Sequence, residues 1–383
     1  MILRYGGSNY FCFKEDFEID LRLNKNCPED ISNGKDYSQV MCIKGANAAG
    51  KTNALKALSF IASFIASSFN EKPEGKLALE TYFGNKMPTH LFCEFRINHL
   101  DYRYDLSLQD NKVVDEKLTL ISDSNKVLFF RRETVLEHVD DEYSGLRNIP
   151  QLRANASIIS SAHQHEIPCI KGMYDFFNLA LKNVGYSGFK EISKDGDFSK
   201  LYHESPEILD FVKEKLRFFD TGIIDIQIDF YENGDGEKVY FPLFCFEING
   251  KIKKLRMHHQ SSGTKRLYKL LGYCFAIIHR DNDELPYGAF MVWDELDLHL
   301  HSLIIPELIK LFEKGSNTQL IFTCQNDQIL DSMGKYRTVL INKSDNESYS
   351  YRLDELPSDL LRNNRPITPH YKKGSIGGVP NIG

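Results

Sequence analysis

Residues 40–52, which read V-M-C-I-K-G-A-N-A-A-G-K-T, decide the fold predicted for this chain. The apolar residues 40–43 predict a strand, and residues 45–52 match the pattern G-x-x-x-x-G-K-[ST] in full. From Asn53 to Phe69 apolar residues recur at three- and four-residue spacing, which predicts a helix. A strand, a glycine-rich loop and a helix in this order are typical of a phosphate-binding P-loop. The alternative is an ordinary glycine turn before a helix. Such a turn requires neither the Gly-Lys-Thr sequence nor the preceding strand, so the pattern favours phosphate binding.

The residues of this loop have separate predicted tasks in binding a triphosphate. The glycines let the chain wrap so that backbone N–H groups and the start of the helix face the phosphates. Lys51 would place a positive charge at the β- and γ-phosphates, and the Thr52 hydroxyl would ligate Mg²⁺. The predicted nucleotide-binding residues of this segment are Gly45, Asn47, Ala48, Ala49, Gly50, Lys51, Thr52 and Asn53.

Two adjacent acidic residues follow a second apolar run, F-M-V-W-D-E at 290–295. A nucleotide site needs a carboxylate at the end of a neighbouring strand to hold magnesium, and Asp294 is in that position. Glu295 is suited to polarise a water molecule. Adjacent acids at a strand end can also be solvated turn residues, but the Lys51 loop upstream favours the magnesium and catalytic roles.

A second phosphate-binding segment is predicted at S-S-G-T-K-R, residues 261–266, ahead of the Asp294 strand. The Ser262 hydroxyl and the N–H groups of Gly263 and Thr264 at a helix start can form another phosphate cradle. One chain already has a cradle at Lys51, so a second is useful only if it faces the nucleotide of another subunit. The pattern predicts two ATP molecules between two protomers, and an ordinary Ser-Gly helix cap is the alternative.

The remaining patterns predict an α/β chain with a mixed sheet, an antiparallel β region and a helical insertion. Alternating stretches over residues 89–121 indicate an antiparallel meander, and residues 150–218 have helical patterns, clearest at 174–181 and 208–219. Later elements alternate β and α as in a parallel sheet, with the last strand at 338–341. We predict an N-terminal core with the P-loop and antiparallel region at 1–149, a helical insertion or lid at 150–220, and a C-terminal core at 221–383.

The composition excludes several other classes of protein. The 383 residues carry 47 Lys and Arg against 53 Asp and Glu, and the net charge of −6 argues against a protein that coats nucleic acid through bulk charge. The eight cysteines are scattered singly, which suits a reducing cytosol. The first residues lack a signal-peptide pattern, and no stretch approaches the roughly 20 apolar residues that cross a bilayer. We predict a cytoplasmic protein with no membrane partner.

Three other patterns have competing interpretations. Residues 342–345 spell N-K-S-D, a guanine-reading motif, but D-S-M-G at 331–334 lies too close to supply the D-x-x-G that a GTPase also needs. The histidine pairs at 163/165, 258/259 and 299/301 lack a suitable third zinc ligand, so we predict no metal beyond Mg²⁺. The basic runs at 251–256 and 131–132 are interpreted as solvated strand faces rather than a nucleic-acid groove.

The chain resembles ABC-type ATPases of the RecF/SMC/OLD branch, and most closely the compact bacterial AAA-type ATPases associated with abortive infection and phage defence. The resemblance rests on the GANAAGKT loop, SSGTKR as the signature equivalent, FMVWDE as Walker B, residues 298–301 (LHLH) as the D-loop equivalent, and the tail RNNRPITPHYKKGSIGGVPNIG. It implies an ATP-dependent dimer or higher assembly whose closure controls an effector. In this assembly His301 would touch the opposing subunit.

The sequence departs from this family in two places. No Q-loop glutamine is identified in the region after the first helix, and the switch position is altered. Where the family has a switch histidine after a strand, residues 323–327 read T-C-Q-N-D. Gln325 can donate a hydrogen bond to a γ-phosphate, but it cannot carry an extra proton or positive charge. We therefore predict Glu295 and Gln325 as the catalytic residues and expect slow hydrolysis.

Three functions follow as hypotheses. The first is an ATPase of a bacterial defence module that regulates a separate nuclease or toxin, because about sixty residues after Gln325 leave no room for a nuclease domain; a phage protein or DNA would be its trigger. The second is a nucleotide-gated scaffold or sensor with little hydrolysis. The third is a RecF-like repair ATPase that senses DNA.

Overall fold

The computed structural model describes residues 1–191, 195–219, 221–279, 287–315, 317–357, 360–362 and 365–380. Its strands and helices are, in chain order, β1 Ile2–Ser8, β2 Phe17–Asp20, α1 Glu29–Ser32, β3 Val40–Gly45, α2 Lys51–Ser67, β4 Thr89–Ile97, β5 Leu100–Gln109, β6 Lys112–Ile121, β7 Lys126–Arg132, β8 Val135–Val139, α3 Ile158–Gln164, α4 Lys171–Asn178, β9 Leu181–Lys182, β10 Val184–Gly185, β11 Gly188–Phe189, α5 Asp195–Glu204, α6 Pro206–Phe218, β12 Asp225–Glu232, β13 Lys238–Ile248, β14 Lys251–Arg256, α7 Ser262–Ile278, β15 Ala289–Trp293, α8 Ile304–Glu313, β16 Thr318–Thr323, α9 Ile329–Met333, β17 Thr338–Ser344, β18 Glu347–Arg352 and α10 Thr368–Lys372. Among these described segments, no helix combines the length and apolarity needed to span a bilayer.

The chain divides into two compact units. Unit 1 consists of Met1–Lys190, Asn282–Leu296 and Phe312–Gly383, and unit 2 consists of Glu191–Asp281 and Asp297–Leu311. Unit 1 contains the predicted P-loop and the acidic pair, whereas unit 2 contains the SSGTKR segment and the histidines at 299 and 301. The division at residues 149 and 220 inferred from the sequence remains a prediction.

The main sheet of unit 1 has the strand order β18-β17-β3-β16-β15-β9. The strand that leads into the P-loop, β3, lies between β17 and β16 and runs parallel to both. All residues of β3, β15 and β16 are buried, as expected for strands of a parallel sheet that is covered on both faces. This arrangement confirms the predicted α/β fold of the P-loop ABC-ATPase type, with a mixed sheet and a separate antiparallel sheet.

The structure extends two of the predicted β regions and interrupts the predicted helical one. The antiparallel sheet has the order β2-β1-β4-β5-β6-β7-β8 and continues well past residue 121. The predicted last strand continues to Ser344 and turns into β18, which pairs with it antiparallel at the sheet edge. Within residues 150–218, the glycine-containing segment 181–189 forms the short strands β9 to β11 rather than helix, and β9 joins the main sheet beside β15.

Of the basic run at 131–132, Arg132 is exposed, but Arg131 is not part of a solvated surface. Arg131 is fully buried, and its Nε lies 2.7 Å from the Glu116 carboxylate, which is fully buried as well. That carboxylate also accepts hydrogen bonds from the Tyr104 hydroxyl at 2.8 Å and from the Ile158 backbone N–H at 3.0 Å. A buried ion pair of this kind needs such additional partners, because removing two charges from water is costly. The interpretation of residues 131–132 as a solvated face is therefore wrong for Arg131.

The helix that follows the P-loop is buried along most of its length. The apolar residues Leu55, Leu58, Ile61 and Ile65 of α2 have no exposed surface. Burial of each such side chain contributes about 1.5–3 kcal/mol relative to exposure. The polar Ser59 within this helix donates a hydrogen bond to the Val184 carbonyl at 2.7 Å. Packing on several sides therefore fixes the helix that carries Lys51 and Thr52 in its first turn.

Candidate nucleotide-binding site

The loop between β3 and α2 requires glycine at the two glycine positions of the G-x-x-x-x-G-K-[ST] pattern. A Cβ on Gly45 would lie 2.3 Å from the Ile341 carbonyl oxygen of the neighbouring strand β17. Gly50 has a φ of 114°, in the region that favours glycine, and a Cβ there would lie 2.7 Å from the Cys12 Sγ. Gly45 therefore allows two backbone segments to approach closely, and Gly50 allows a backbone conformation that other residues rarely adopt.

Lys51 spans the inside of this loop. Its Nζ donates hydrogen bonds to the carbonyls of Gly45 and Ala46, each at 2.9 Å, and the residue is only 8 % exposed. Burial is the main cause that lowers its pKa, Lys44 lowers it further, and Asp294 and Glu295 oppose the shift. A buried ammonium group in this position would gain from a phosphate, because an anion restores the stabilisation lost with the solvent.

The other predicted residues of the loop lie around Lys51. Ala48 has a φ of 60°, a left-handed conformation that is uncommon for a residue with a side chain and recurs at functional sites. Ala49 is buried, and the Asn53 side chain donates to the Cys12 Sγ at 3.1 Å in the first turns of α2. Asn47 lines a cavity together with Gln325. All these residues lie on the loop or at the start of α2, as the local sequence pattern predicts.

Thr52 and Asp294 meet although 242 positions separate them in the sequence. The Thr52 hydroxyl donates to the Asp294 carboxylate at 2.9 Å, and Asp294 is 4 % exposed just after β15. A hydroxyl and a carboxylate are hard oxygen donors of the kind that Mg²⁺ prefers. The two side chains therefore fit a magnesium ion next to the phosphate loop.

Two residues that the sequence did not reveal hold Asp294 in place. The Asn183 side chain accepts a hydrogen bond from the Asp294 N–H at 2.6 Å and donates to the Asp294 carbonyl at 2.9 Å. The Thr323 hydroxyl at the end of β16 donates to the Asp294 carboxylate at 2.5 Å. Both side chains are buried, with at most 1 % exposure. They orient the carboxylate that would face the metal, as outer partners of metal ligands do.

Thr323→Val should raise the Mg²⁺ concentration needed for ATP hydrolysis and lower the rate about 10- to 100-fold. Valine has the shape of threonine but cannot donate to the Asp294 carboxylate or accept from the Glu295 N–H, which now lies 2.8 Å from the Thr323 hydroxyl. The rate is measured as phosphate release over a Mg²⁺ titration. Thr318→Val, in the same strand, is the matched control, and equal Mg²⁺ requirements of the two variants would contradict this role.

Glu295 has an unusual backbone conformation. Its φ is 52°, and its side chain is half-buried. The Thr323 hydroxyl accepts from its N–H, and the N–H of Leu296 donates to the Thr323 carbonyl at 2.9 Å. Such a conformation persists where the surroundings over-determine it and is enriched at functional sites. The turn after β15 is therefore fixed by the neighbouring strand β16.

Gln325 lies on the loop after β16, and Lys44 ties this loop to the strand that leads into the P-loop. The Lys44 ammonium donates to the Cys324 carbonyl at 3.3 Å and to the Gln325 carbonyl. It also lies 2.9 Å from the Asp327 carboxylate. Lys44 was not predicted as a site residue. Its only local signal is a lysine at the end of an otherwise apolar strand, directly before Gly45, and its burial appears only in the structure.

In unit 2 the first turn of α7 carries the SSGTKR segment. Ser261 is the helix cap, because its hydroxyl oxygen accepts from the Thr264 N–H at 3.1 Å. The cap therefore does not involve Ser262. The Ser262 side chain is exposed. A Cβ on Gly263 would lie 2.7 Å from the carbonyl oxygen of His299, in the 297–301 turn of the same unit. The glycine thus allows the signature segment and the predicted D-loop to pack closely.

Gly263→Ala should destabilise unit 2 by about 1–3 kcal/mol, because the added methyl group overlaps a backbone atom. Gly234→Ala is the matched control, since nothing lies within 4 Å of a Cβ at that position. Denaturant unfolding of the full chain measures the difference, and we expect the control to stay within about 0.5 kcal/mol of wild type. Equal unfolding midpoints for both variants would contradict the close approach.

The histidines have varied surroundings. His301 is exposed and its Nδ1 accepts from the Leu303 N–H at 3.3 Å. The His163 ring stacks on Tyr174 with 3.4 Å between centroids, and the rings of His258 and His259 are 4.0 Å apart. In the part of the chain that the structure describes, no group of three or more His, Cys, Asp or Glu side chains is arranged to hold a metal ion.

The N-K-S-D sequence has a structural explanation. The Asn342 side chain donates to the Tyr351 hydroxyl at 2.9 Å and accepts from the Gly378 N–H at 2.5 Å. Its amide is therefore occupied by β18 and by the C-terminal segment of the same chain. This contact leaves the guanine-reading interpretation without support.

Three features define a P-loop NTPase of the ABC-ATPase type: a P-loop that follows a strand with a parallel neighbour on each side, the acidic strand end beside Thr52, and the separate antiparallel sheet. A family model described as "AAA domain, putative AbiEii toxin, Type IV TA system" matches residues 40–331, and the chain belongs to this family. No curated protein matches the sequence.

Two of the solved structures that are similar to this chain are SMC heads. "Crystal structure of the SmcHead bound to the C-winged helix domain of ScpA" is 14% identical, with 92% of this chain and 97% of that chain covered and a TM-score of 0.49. "SMC head domain from Thermotoga maritima" is 12% identical, with 92% and 98% covered and a TM-score of 0.43. These values are too low to transfer a function.

Proposed function

We propose that this chain binds ATP and Mg²⁺ at the P-loop of unit 1 and hydrolyses the nucleotide, and that its nucleotide state controls a separate effector protein. One observation carries the proposal. The Thr52 hydroxyl, one residue after the buried Lys51, contacts the Asp294 carboxylate at 2.9 Å. A phosphate-binding lysine and two oxygen ligands for magnesium therefore lie side by side, which is what binding of a metal–triphosphate requires.

The chemistry follows from the position of each group. Lys51 would bind the β- and γ-phosphates, and Thr52 and Asp294 would hold Mg²⁺. When bound, Mg²⁺ would neutralise charge on the phosphate oxygens. Glu295 would accept a proton from a water molecule whose oxygen bonds to the γ-phosphorus while the bond to the β–γ bridging oxygen breaks, giving ADP and inorganic phosphate. Gln325 would donate a hydrogen bond to the γ-phosphate.

We infer that two or more copies of the chain complete the site. Ser262 and His301 are exposed on unit 2, and Gly263 brings their segments together through the His299 contact. Ser262 and Gly263 would bind the γ-phosphate held by another protomer, where the dipole of the 17-residue helix α7 favours an anion. Thr264, which the sequence also suggested for this role, is buried and donates its N–H to the Ser261 cap. His301 would contact the opposing subunit.

The biological role is proposed from the family. Its description names a putative AbiEii toxin and a type IV TA system. We propose that this chain acts in bacterial anti-phage defence in the cytoplasm, that a phage protein or DNA triggers it, and that the effector is a separate nuclease or toxin.

A nucleotide-gated scaffold with little hydrolysis is a second candidate. The exposed Gln325 favours it, because an amide cannot take a proton or carry a charge at the γ-phosphate. In this case ATP binding alone would switch the assembly.

Measurements of ATP binding, phosphate release and self-association on the purified chain distinguish these functions. We expect ATP binding that depends on Mg²⁺, with slow phosphate release and self-association in the presence of ATP. ATP binding with no measurable phosphate release would favour the scaffold. Failure to bind ATP with Mg²⁺ would overturn the proposal.

A further inference from the structure

A cavity of about 580 Å³ lies next to the P-loop in unit 1. Residues 44–47 of β3 and the loop form one wall, and Gln325 and Asp327 form the second. The third wall is the C-terminal segment, through residues 371–374 and 379–380. The first two walls belong to the nucleotide site described above, whereas the third has no task assigned so far.

The C-terminal segment is held in a defined conformation on strands β17 and β18. The Tyr371 hydroxyl donates to the Gly378 carbonyl at 2.7 Å, and the Tyr351 hydroxyl donates to the Ile376 carbonyl at 2.5 Å. A Cβ on Gly377, whose φ is 75°, would lie 2.3 Å from the Asn342 Nδ2. Only glycine fits there, so this wall of the cavity is a built feature of the fold.

The same segment is attached to the loop that carries Gln325. The Thr368 hydroxyl donates to the Asp327 carbonyl at 3.1 Å. The Asp331 carboxylate accepts from the N–H groups of Ile367 and Thr368, at 2.6 and 2.9 Å. Polar contacts therefore connect the third wall of the cavity directly to the second.

The cavity has an excess of positive charge. Lys44 is paired with Asp327 at 2.9 Å. Lys372 and Lys373 also line the cavity and are exposed, and among the described residues neither has a carboxylate within ion-pair distance. Two uncompensated ammonium groups at the border of a phosphate loop favour a bound anion.

We propose that the C-terminal segment is part of the nucleotide site of its own chain, and that Lys372 and Lys373 bind the terminal phosphate of ATP. This proposal rests on the proposed function. The γ-phosphate is the part of the nucleotide concerned, because Gln325, which would donate to that phosphate, lines the same cavity. The two lysines would then favour ATP over ADP.

The test compares the affinities of the full chain for ADP and for a β,γ-imido analogue of ATP, both with Mg²⁺, by calorimetry. In the double variant Lys372→Ala/Lys373→Ala we expect the analogue to bind about tenfold more weakly, the scale of a lost charge-assisted hydrogen bond. Affinity for ADP should change less than about twofold. Lys372→Arg/Lys373→Arg should retain the wild-type preference.

The matched control is Lys253→Ala/Lys254→Ala, which removes the same charge from exposed neighbouring lysines of β14. We expect this control to bind both nucleotides as wild type does. An unchanged preference in the Lys372→Ala/Lys373→Ala variant, or an equal loss for both nucleotides, would overturn the role of these lysines and leave the proposed ATPase standing. If the wild-type chain binds neither nucleotide, both proposals are overturned.

Discussion

Glu295→Gln should slow ATP hydrolysis by about 100-fold or more, since removal of a general base costs about 10²–10⁴ in rate. Glutamine has the size of glutamate but cannot accept the proton of the attacking water. The contact that fixes this turn, from the residue-295 N–H to the Thr323 hydroxyl, involves only the backbone of residue 295 and is retained. We therefore expect ATP binding at near wild-type affinity, and an ATP-bound assembly that persists longer. Phosphate release and calorimetry measure the two effects.

The control for this substitution is Glu74→Gln, the same change at an exposed residue. It should hydrolyse ATP at the wild-type rate. Equal rates for Glu295→Gln and Glu74→Gln would show that Glu295 does not act on the water. Loss of ATP binding in Glu295→Gln would instead indicate a role in holding the nucleotide.

The parts of the site that the sequence predicted are those whose signal is local. The P-loop, its strand and its helix lie within consecutive residues, so spacing and glycine positions suffice to recognise them. Asp294 was recognised because a buried strand directly precedes it. In each case the feature that identifies the residue lies within a few positions of it.

The residues that escaped prediction act over long sequence separations. Asn183 lies 111 positions from its partner Asp294, and Lys44 lies 280 positions from Cys324. Asn183 sits in a short segment that the helical pattern of its neighbours obscured. Only the pairing of β9 with β15 brings it to the acidic strand end. Side chains that orient a site through the tertiary fold carry no periodicity of their own.

A strand without an apolar period escaped prediction as well. β18 reads E-S-Y-S-Y-R at a sheet edge, whereas the basic run of β14 was recognised as an exposed strand face. An edge strand buries little surface, so alternation is a weak signal there. The N-K-S-D sequence is an example of the opposite error, in which a local motif suggests a function that the structure does not support. Here Asn342 binds the C-terminal segment instead.

A mixture of two inactive variants should regain activity if each nucleotide lies between two chains. Lys51→Ala removes the phosphate-binding lysine, and Ser262→Arg places a bulky cation on the exposed first turn of α7. Each variant alone should hydrolyse ATP at least about 100-fold more slowly than wild type. In a mixed dimer, one site carries both changes and the other carries neither.

Equal mixing makes half of the dimers mixed, and each mixed dimer has one intact site of two, so about a quarter of the wild-type rate should return. Sites contained within one chain cannot regain activity in this way, because every chain in the mixture carries a damaging change. The measurement is phosphate release at a fixed total protein concentration as the ratio of the variants is varied.

The internal control is a mixture of Lys51→Ala with Glu295→Gln. Each chain contributes Lys51 and Glu295 to the same site, so no site in this mixture has both residues intact. The rate of this mixture should therefore stay low. The shared site would be contradicted if the mixture of Lys51→Ala with Ser262→Arg regained no activity, or if both mixtures regained the same activity. Only a site that takes Lys51 from one chain and Ser262 from another predicts recovery in the first mixture alone.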